Sequence, residues 1–297
     1  MSNKFVSWFL FILLCLIWGS SFKLMKDSSN ALSGAQIASL RIFAAALASL
    51  PYALFQWKKI ETRRLPAVAF SAVIGNLVPA FLFAIALTRI DGSLGGILNS
   101  LTPICVVLIG VLFYGDKIAG QKVIGLLVGF VGLVLLTLAP VFLGEKSISF
   151  ENLSYLFLPV LATLLYGINV NMVSHRLKDI NPINLATVSV GFMVFPTLIL
   201  LQWLGFFSLD FSNAEVQQAV FATAALGVLG SALATVLFYT LVQRAGGLFA
   251  SLVTYGIPFV ALFWGFIDHE AITWLEVSCL LLILAGVYLA NSSPARK

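Results

Sequence analysis

The stretch GNLVPAFLFAIALTRIDGSLGGILNSLTP at residues 75–103 has a counterpart at residues 230–258, GSALATVLFYTLVQRAGGLFASLVTYGIP. Four pairs of residues align without a gap at an offset of about 155: Gly75 with Gly230, Arg89 with Arg244, Asn99 with Thr254, and Pro103 with Pro258. Earlier in each half, Trp18-Gly19 recurs as Tyr166-Gly167. A duplication of this length indicates that one structural unit is encoded twice.

The composition indicates that the chain lies in a lipid bilayer. Hydrophobic residues make up 60% of the chain, charged residues only 10%, and the mean hydropathy is +1.03, whereas about a quarter of the residues in a soluble domain are charged. A helix needs about 20 apolar residues to cross the hydrocarbon core. Apolar runs of this kind predict ten spans, at residues 6–24, 34–57, 66–88, 93–114, 123–143, 153–174, 184–206, 217–242, 248–267 and 272–291.

Five spans in each half have a consequence for the orientation of the two copies. An odd number of crossings starts the second copy on the opposite side of the bilayer, so the copies are inverted relative to each other, an arrangement typical of transporters. We therefore predict an all-α integral membrane protein of ten transmembrane helices, built as two inverted five-helix repeats around a central cavity. The repeats are predicted to comprise residues 1–147 and 148–297.

Lysine and arginine are unevenly distributed over the predicted loops. With the N-terminus in the cytoplasm, about twelve basic residues fall in inner segments and four in outer segments, which is the bias that sets membrane topology. We expect a multi-pass protein of the cytoplasmic (inner or plasma) membrane with both termini inside. The net charge of +5 is then a topology signal, and no basic domain outside the bilayer indicates a nucleic-acid partner.

Several kinds of chemistry have no sequence signature here. The chain has no GxxxxGK[ST] phosphate loop and no extramembrane segment long enough to fold as a nucleotide-binding domain. Cys15, Cys105 and Cys279 all lie within apolar runs without metal-ligand spacing. We predict no cofactor, no metal site and no catalytic residue.

Several short motifs, in this order and partly duplicated, resemble the EamA-type members of the drug/metabolite transporter superfamily. They are WGSSF at 18–22, Arg41, GDK at 115–117, GFVGL at 129–133, HE at 269–270 and LAGVY at 284–288. The resemblance covers nearly the whole chain. It implies a basket-like bundle with a central cavity that is lined mainly by the first, third, fourth, sixth, eighth and ninth helices. It also implies that the protein exports amino acids or other small metabolites. One departure is Asp116, which stands where the family usually has glutamate.

Polar residues at mid-depth mark a candidate site. At 1.5 Å per residue, Asn76 lies about 15 Å and Asn99 about 9 Å into their spans, with Pro103 near the midplane. Such groups either join helices or contact substrate, and the prolines, which leave carbonyls without their usual partners, favour substrate contact. With aromatic residues chosen by depth and repeat position, the predicted substrate-binding residues are Trp18, Asn76, Phe83, Asn99, Pro103, Tyr166, Asn169, Ser231, Tyr239, Thr254, Tyr255 and Pro258.

Charged residues are confined almost entirely to the span ends. Arg41 is the exception, about seven residues into the second span, and we predict either an outer ion pair with Asp91 or Glu276, or a site for a substrate carboxylate or a gate. Arg89 and Arg244, in matching turns, are interpreted as helix-end anchors or gate elements. Asp116 is interpreted as a helix cap. Because no carboxylate is predicted at the midplane, where proton relays usually place one, the pattern favours a facilitator or a weakly coupled exporter.

The function predicted from the sequence is secondary transport of small organic metabolites, most of all amino acids or similar amphiphilic compounds, by alternating access. The alternatives are a flippase for a lipid or lipid-linked sugar, and a membrane-embedded transferase. The expected partners are a small-molecule substrate and the bilayer. Glycines in the fifth and tenth spans, at 125, 129, 132 and 286, predict close helix packing, within the chain or against a second copy, so monomer and homodimer both remain open.

Overall fold

The computed structural model describes residues 3–28, 31–87, 89–90, 95, 98–142, 144, 153–267 and 273–292, and all regular structure within them is helical. The all-α prediction is confirmed. The helices are α1 (Asn3–Ser28), α2 (Gly34–Gln56), α3 (Leu65–Ala72, Val73–Leu77 and Val78–Leu87), α4 (Thr102–Tyr114), α5 (Gly120–Phe142), α6 (Phe157–Asn171 and Met172–Arg176), α7 (Pro182–Gly191 and Val194–Trp203), α8 (Ala214–Gly227, Val228–Leu233 and Ala234–Ala245), α9 (Gly247–Ser251 and Val253–Ile267) and α10 (Trp274–Ser292).

Nine of these helices, among the described residues, are long and apolar enough to cross a membrane. The remaining one, α4, is apolar but has only 13 residues. Its predicted start at residue 93 falls in a stretch that lies mostly outside the described residues. The chain is therefore a multi-pass membrane protein with about ten helices.

Side-chain caps explain where several helices begin. Ser33 and Gln36 form a reciprocal capping box at the start of α2, and each satisfies a backbone N–H that the helix leaves without a partner. Asn181 accepts hydrogen bonds from two backbone N–H groups at the start of α7, where Pro182 occupies the first turn. Asn213 caps α8 through the N–H of Glu215.

The helices of the two halves pack in matching pairs. Helices α3 and α4 of the first half both pack on α6 of the second half; their counterparts α8 and α9 of the second half both pack on α1 of the first half. Helices α2 and α7 pack on each other, as do α5 and α10. Exchanging α1–α5 with α6–α10 leaves this set of contacts unchanged, as expected for two copies of one unit.

Glycines at two equivalent positions make the matching contacts close. A Cβ at Gly19 on α1 would lie 2.5 Å from Cβ of Val260 on α9, and one at Gly167 on α6 would lie 3.0 Å from Cβ of Cys105 on α4. Val260 follows Cys105 by the same offset of about 155 that relates the copies. The duplication therefore extends from the sequence to the packing.

Helices α5 and α10 approach until their backbones touch. A Cβ at Gly286 would lie 2.3 Å from the backbone nitrogen of Gly129, and one at Gly125 would lie 2.4 Å from that of Ala290. Close packing within the chain and packing against a second copy were both predicted for these glycines, and the structure shows the first. Large apolar side chains such as Trp203 and Trp274 are 83% and 88% exposed on the outside of the bundle, as lipid contact requires.

Candidate functional site

Two helices of the bundle contain a π-helical segment at equivalent places. In α3 the segment is Val73–Leu77, and in α8 it is Val228–Leu233. They contain Gly75 and Gly230, the paired glycines that open the repeated stretch. A π-segment inserts a residue into the helix and changes which carbonyls are bonded within it, and such segments occur frequently at functional sites.

The π-segment of α8 binds side chains from two other helices. The carbonyl oxygen of Gly230 accepts a hydrogen bond from Trp18 Nε1 at 3.0 Å and another from the Arg41 guanidinium at 3.3 Å. Arg41 Nε donates to Ser231 Oγ at 2.7 Å. Tyr166 on α6 lies near the same guanidinium. We call Trp18, Arg41, Tyr166, Gly230 and Ser231 the arginine cluster.

A second group of polar side chains surrounds the Tyr239 hydroxyl. Ser71 Oγ lies 3.1 Å from it, Asn169 Nδ2 donates to it at 3.2 Å, and the Asn76 side chain lies beside it. Ser71 donates in turn to Asn169 Oδ1. Thr235 Oγ1 donates to Asn76 Oδ1 at 3.4 Å. We call Ser71, Asn76, Asn169, Thr235 and Tyr239 the tyrosine cluster.

The two clusters are neighbours because they share two helices. Tyr166 and Asn169 are three residues apart on α6, and Ser231 and Thr235 are four apart on α8, spacings that place side chains on one face of a helix. The absence of a side chain at Gly75 lets α3 approach α6, since a Cβ there would lie 2.2 Å from Asn169 Nδ2. The structure thus brings Trp18, Arg41, Asn76, Tyr166, Asn169, Ser231 and Tyr239 of the predicted site together.

The other predicted positions lie along the interior helices. Phe83, Asn99, Thr254 and Pro258 are half-buried. Pro103 is buried in the first turn of α4, and the Asn99 carbonyl, which its ring leaves without an N–H partner, accepts a hydrogen bond from Thr102 Oγ1 at 2.7 Å. Substrate contact at these positions stays a prediction.

Tyr255 has a packing role in this conformation. Its side chain is fully buried, and its hydroxyl donates to the Leu126 carbonyl on α5 at 3.1 Å. Its ring fills the space beside Gly129, where a Cβ would lie 2.6 Å from it. We therefore place Tyr255 in the α5–α9 interface, outside the two clusters.

The predicted gate and ion-pair residues are placed as follows. Glu276 forms a capping box with Thr273 at the start of α10, and Asp91 lies outside the described residues. Arg89 and Arg244 are exposed at the ends of α3 and α8. The gate function of Arg41, Asp91, Arg89 and Arg244 stays a prediction.

One close pair of titratable groups was not predicted. His175 Nε2 lies 2.9 Å from Asp116 Oδ1, where the sequence suggested that Asp116 caps a helix. That suggestion was wrong, because α5 begins only at Gly120 and the carboxylate turns toward α6 instead. Within the described residues, no three His, Cys, Asp or Glu side chains come together as a metal site would require.

A shallow groove of about 660 Å³ lies on the outer surface of α7, lined by Leu198, Ile199, Gln202, Trp203 and Phe207. It is away from both clusters and open to the surface. Its lining is almost entirely apolar, as expected of a surface that contacts lipid. We assign it no part in substrate binding.

Comparison with known proteins gives concordant matches. A family model described as the EamA-like transporter family matches residues 6–138 and 153–292. An uncharacterized transporter of Archaeoglobus fulgidus is 26% identical over 95% of this chain and 97% of its own length. The uncharacterized transporter YoaV of Bacillus subtilis is 23% identical over 95% of each chain. One protein of known crystal structure shares the fold with a TM-score of 0.74 at 17% identity, covering 98% of this chain and 97% of that one.

Proposed function

Because the chain belongs to the EamA-like transporter family, within the drug/metabolite transporter superfamily, we propose that it moves small organic metabolites across the cytoplasmic membrane by alternating access. Amino acids and similar amphiphilic compounds are the cargo we favour, and export or facilitated diffusion the mode. Both termini are taken to lie in the cytoplasm, as the basic residues of the loops indicate.

The observation that carries this proposal is the pair of π-segments at Val73–Leu77 and Val228–Leu233. They occupy equivalent places in the two copies, and each presents polar groups to helices of the other half. In a membrane, irregular backbone and polar side chains are tolerated where they are buried in protein or line a wet cavity. Transporters of inverted repeats place their binding sites at such irregularities near the bilayer centre.

The matching helix contacts support alternating access between two inverted halves. Two inverted copies of one unit can exchange their conformations, which would give two states of similar energy, one open to each side. With five spans in each half, the copies run in opposite directions through the bilayer. The same polar groups would then face the two compartments in turn.

The side chains of the clusters favour a zwitterionic cargo. Arg41 offers a guanidinium, the group best shaped to bind a carboxylate through two parallel hydrogen bonds. Trp18 and Phe238, whose ring centroids are 5.3 Å apart, offer an apolar surface beside it. The amides and hydroxyls of the tyrosine cluster suit an ammonium or amide group. This combination matches an amino acid better than a phosphorylated compound, which would need several basic groups.

The direct experiment is counterflow in proteoliposomes with a panel of labelled amino acids, with and without an imposed pH gradient. We expect saturable exchange of one or more neutral amino acids without a gradient. Asn76→Ala and Asn169→Ala should each lower the flux about tenfold or more, the effect of removing hydrogen bonds from a buried polar site. Asn291→Ala serves as the matched control, because the Asn291 side chain donates to the Val287 carbonyl one turn earlier on its own helix, α10.

Two results would count against the proposal. Unchanged flux in Asn76→Ala and Asn169→Ala would show that the cargo does not contact the tyrosine cluster, and unchanged flux in Asn99→Ala would remove Asn99 from the site. Exchange of lipids but of no amino acid would instead favour a flippase.

A further inference from the structure

The pair formed by His175 and Asp116 joins the two halves of the molecule at one end of the bundle. His175 lies in the π-segment Met172–Arg176 that ends α6, and Asp116 follows α4 by two residues. Their side chains are 32% and 38% exposed. Water and protons therefore reach the pair, although it sits where helices of different halves meet.

The chain holds Asp116 in position from its own side. Gly115 adopts a left-handed conformation, with φ of 69°, which turns the chain back at the end of α4. The N–H of Asp116 then donates to the Gly110 carbonyl at 3.0 Å. A Cβ at Gly110 would lie 2.6 Å from Asp116 Oδ2, so glycine at this position makes room for the carboxylate.

The His175 side chain is also held in position, by contacts on its ring face and at Nδ1. Its ring stacks on Tyr114 with centroids 4.4 Å apart and an angle of 27°. Its Nδ1 lies 3.1 Å from the Asn171 carbonyl oxygen and 3.0 Å from Ser174 Oγ. Asn171 is itself tied to α4, because its Nδ2 donates to the Val106 carbonyl at 2.9 Å.

Both ring nitrogens of His175 thus face acceptors. A backbone carbonyl and an ionised carboxylate only accept hydrogen bonds, so donation to both the Asn171 carbonyl and Asp116 requires a proton on each ring nitrogen. Only the imidazolium form donates from both nitrogens. In the neutral Nε2–H form the hydrogen bond to Asp116 is kept and Ser174 Oγ can donate to Nδ1, but the hydrogen bond to the Asn171 carbonyl and the positive charge of the ring are lost.

We propose that His175 and Asp116 form a proton-controlled latch between α4 and α6. Protonated His175 holds this end of the two halves together, and loss of the proton releases it. Under the proposed topology this is the cytoplasmic end. The proposal rests on the transport function proposed above, and it concerns the rate of opening, without requiring that protons move with the cargo.

The charged groups around the latch define the direction of the effect. Asp116 is the acidic neighbour of the ring. Arg176, whose guanidinium carbon lies 6.0 Å from the Tyr114 ring centroid, is a basic neighbour, and the exposed Lys117 and Arg244 are further basic residues beyond the end of α4 and at the end of α8. Histidine changes its charge between about pH 5 and 8. The latch is therefore charged and closed at the acid end of this range and weakened at the alkaline end.

The test is counterflow at equal pH on both sides of the vesicle, so that no gradient drives the flux. From about pH 5.5 to pH 8 we expect wild-type flux to rise roughly threefold, the size typical of a partly exposed ion pair. His175→Gln, which retains a hydrogen-bond donor but cannot titrate in this range, should give a flat profile. Asp116→Asn should reduce the rise, and His269→Gln, which alters the other histidine of the chain, should retain it.

A second measurement separates failure of the latch from failure of the transport proposal. Amide hydrogen exchange in residues 110–117 and 171–176, corrected for the intrinsic effect of pH, should show protection in wild type that falls between about pH 5.5 and 8. If amide protection falls in the same way in His175→Gln, or if flux in that variant has the wild-type pH profile, the latch proposal is wrong. If no cargo is exchanged by any form, the proposed function fails, and amide exchange alone decides whether the latch exists.

Discussion

At the residue scale, two buried tyrosines in the second half show how position alone does not define a role. Tyr239 and Tyr255 are 1% and 0% exposed. The hydroxyl of Tyr239 is bonded to polar side chains of α3 and α6, whereas that of Tyr255 is bonded to a backbone carbonyl of α5. The sequence predicted both as substrate contacts from depth and repeat position, which do not reveal what each hydroxyl meets.

This difference gives a first prediction. Tyr255→Phe should lower the free energy of unfolding by about 1 kcal/mol, the usual contribution of one buried hydrogen bond, with little effect on flux per folded molecule. Tyr239→Phe should instead lower the flux, because its hydroxyl hydrogen-bonds with Ser71 and Asn169 of the tyrosine cluster. Thermal unfolding in detergent and counterflow measure the two effects, and equal flux in the two variants would contradict the assignment.

A second prediction concerns Gly75. In Gly75→Ala the new methyl group would lie 2.2 Å from Asn169 Nδ2, so α3 and α6 must move apart or the tyrosine cluster must rearrange. We expect a loss of about 1–3 kcal/mol in stability, as for overpacked cores, together with lower flux. Gly120→Ala is the matched control, because nothing lies within 4 Å of the added Cβ. A melting temperature equal to that of the control would argue against the close approach.

Part of the candidate site could be predicted from single residues. Asn76 and Arg41 stand out as polar groups in apolar runs, Ser231 is found as the repeat counterpart of Asn76, and the structure brings all three into the two clusters. Ser71 and Thr235 do not stand out, because hydroxyls commonly bond to their own helix backbone. His175 and Asp116 are 59 residues apart, and no spacing rule connects the ends of two different helices.

At the element scale, hydrophobicity was sufficient to predict the helices but not their irregularities. Apolar length predicts a span regardless of whether its hydrogen bonds follow an α or a π pattern. The π-segments depend on tertiary contacts, such as those that Trp18 and Arg41 make with the Gly230 carbonyl. The repeated glycines were the one sequence signal at these positions.

The α5–α10 pair gives a prediction at the same scale. In Gly286→Ala the added methyl group would lie 2.3 Å from the backbone nitrogen of Gly129, and a backbone cannot move aside as a side chain can. We expect the melting temperature to fall, with a stability loss of about 1–3 kcal/mol. In Gly230→Ala the nearest atoms are side-chain atoms of Leu226 and Ser21 at 3.0 Å, so the loss should be smaller. The reverse order would show that α5 and α10 are not in backbone contact.

At the scale of the whole molecule, the duplication predicts that both termini lie on the same side. Ten crossings would return the chain to its starting side, and the distribution of basic residues predicts that this side is the cytoplasm. Reporter fusions at residue 1 and residue 297, one active only in the cytoplasm and one only outside it, test this directly. We expect cytoplasmic signals from both ends, and opposite signals would exclude an even number of spans.

The central claim is that the polar clusters are reached alternately from the two sides of the membrane. The most direct measurement places a cysteine at Asn76 after Cys15, Cys105 and Cys279, all buried, are replaced by alanine, and adds a membrane-impermeant thiol reagent from one side at a time. Leu108→Cys, at a lipid-facing position that is 50% exposed, is the control and should react from neither side. We predict that Asn76→Cys reacts from both sides and is protected by the transported cargo. Reaction from one side only, or from neither, would contradict alternating access.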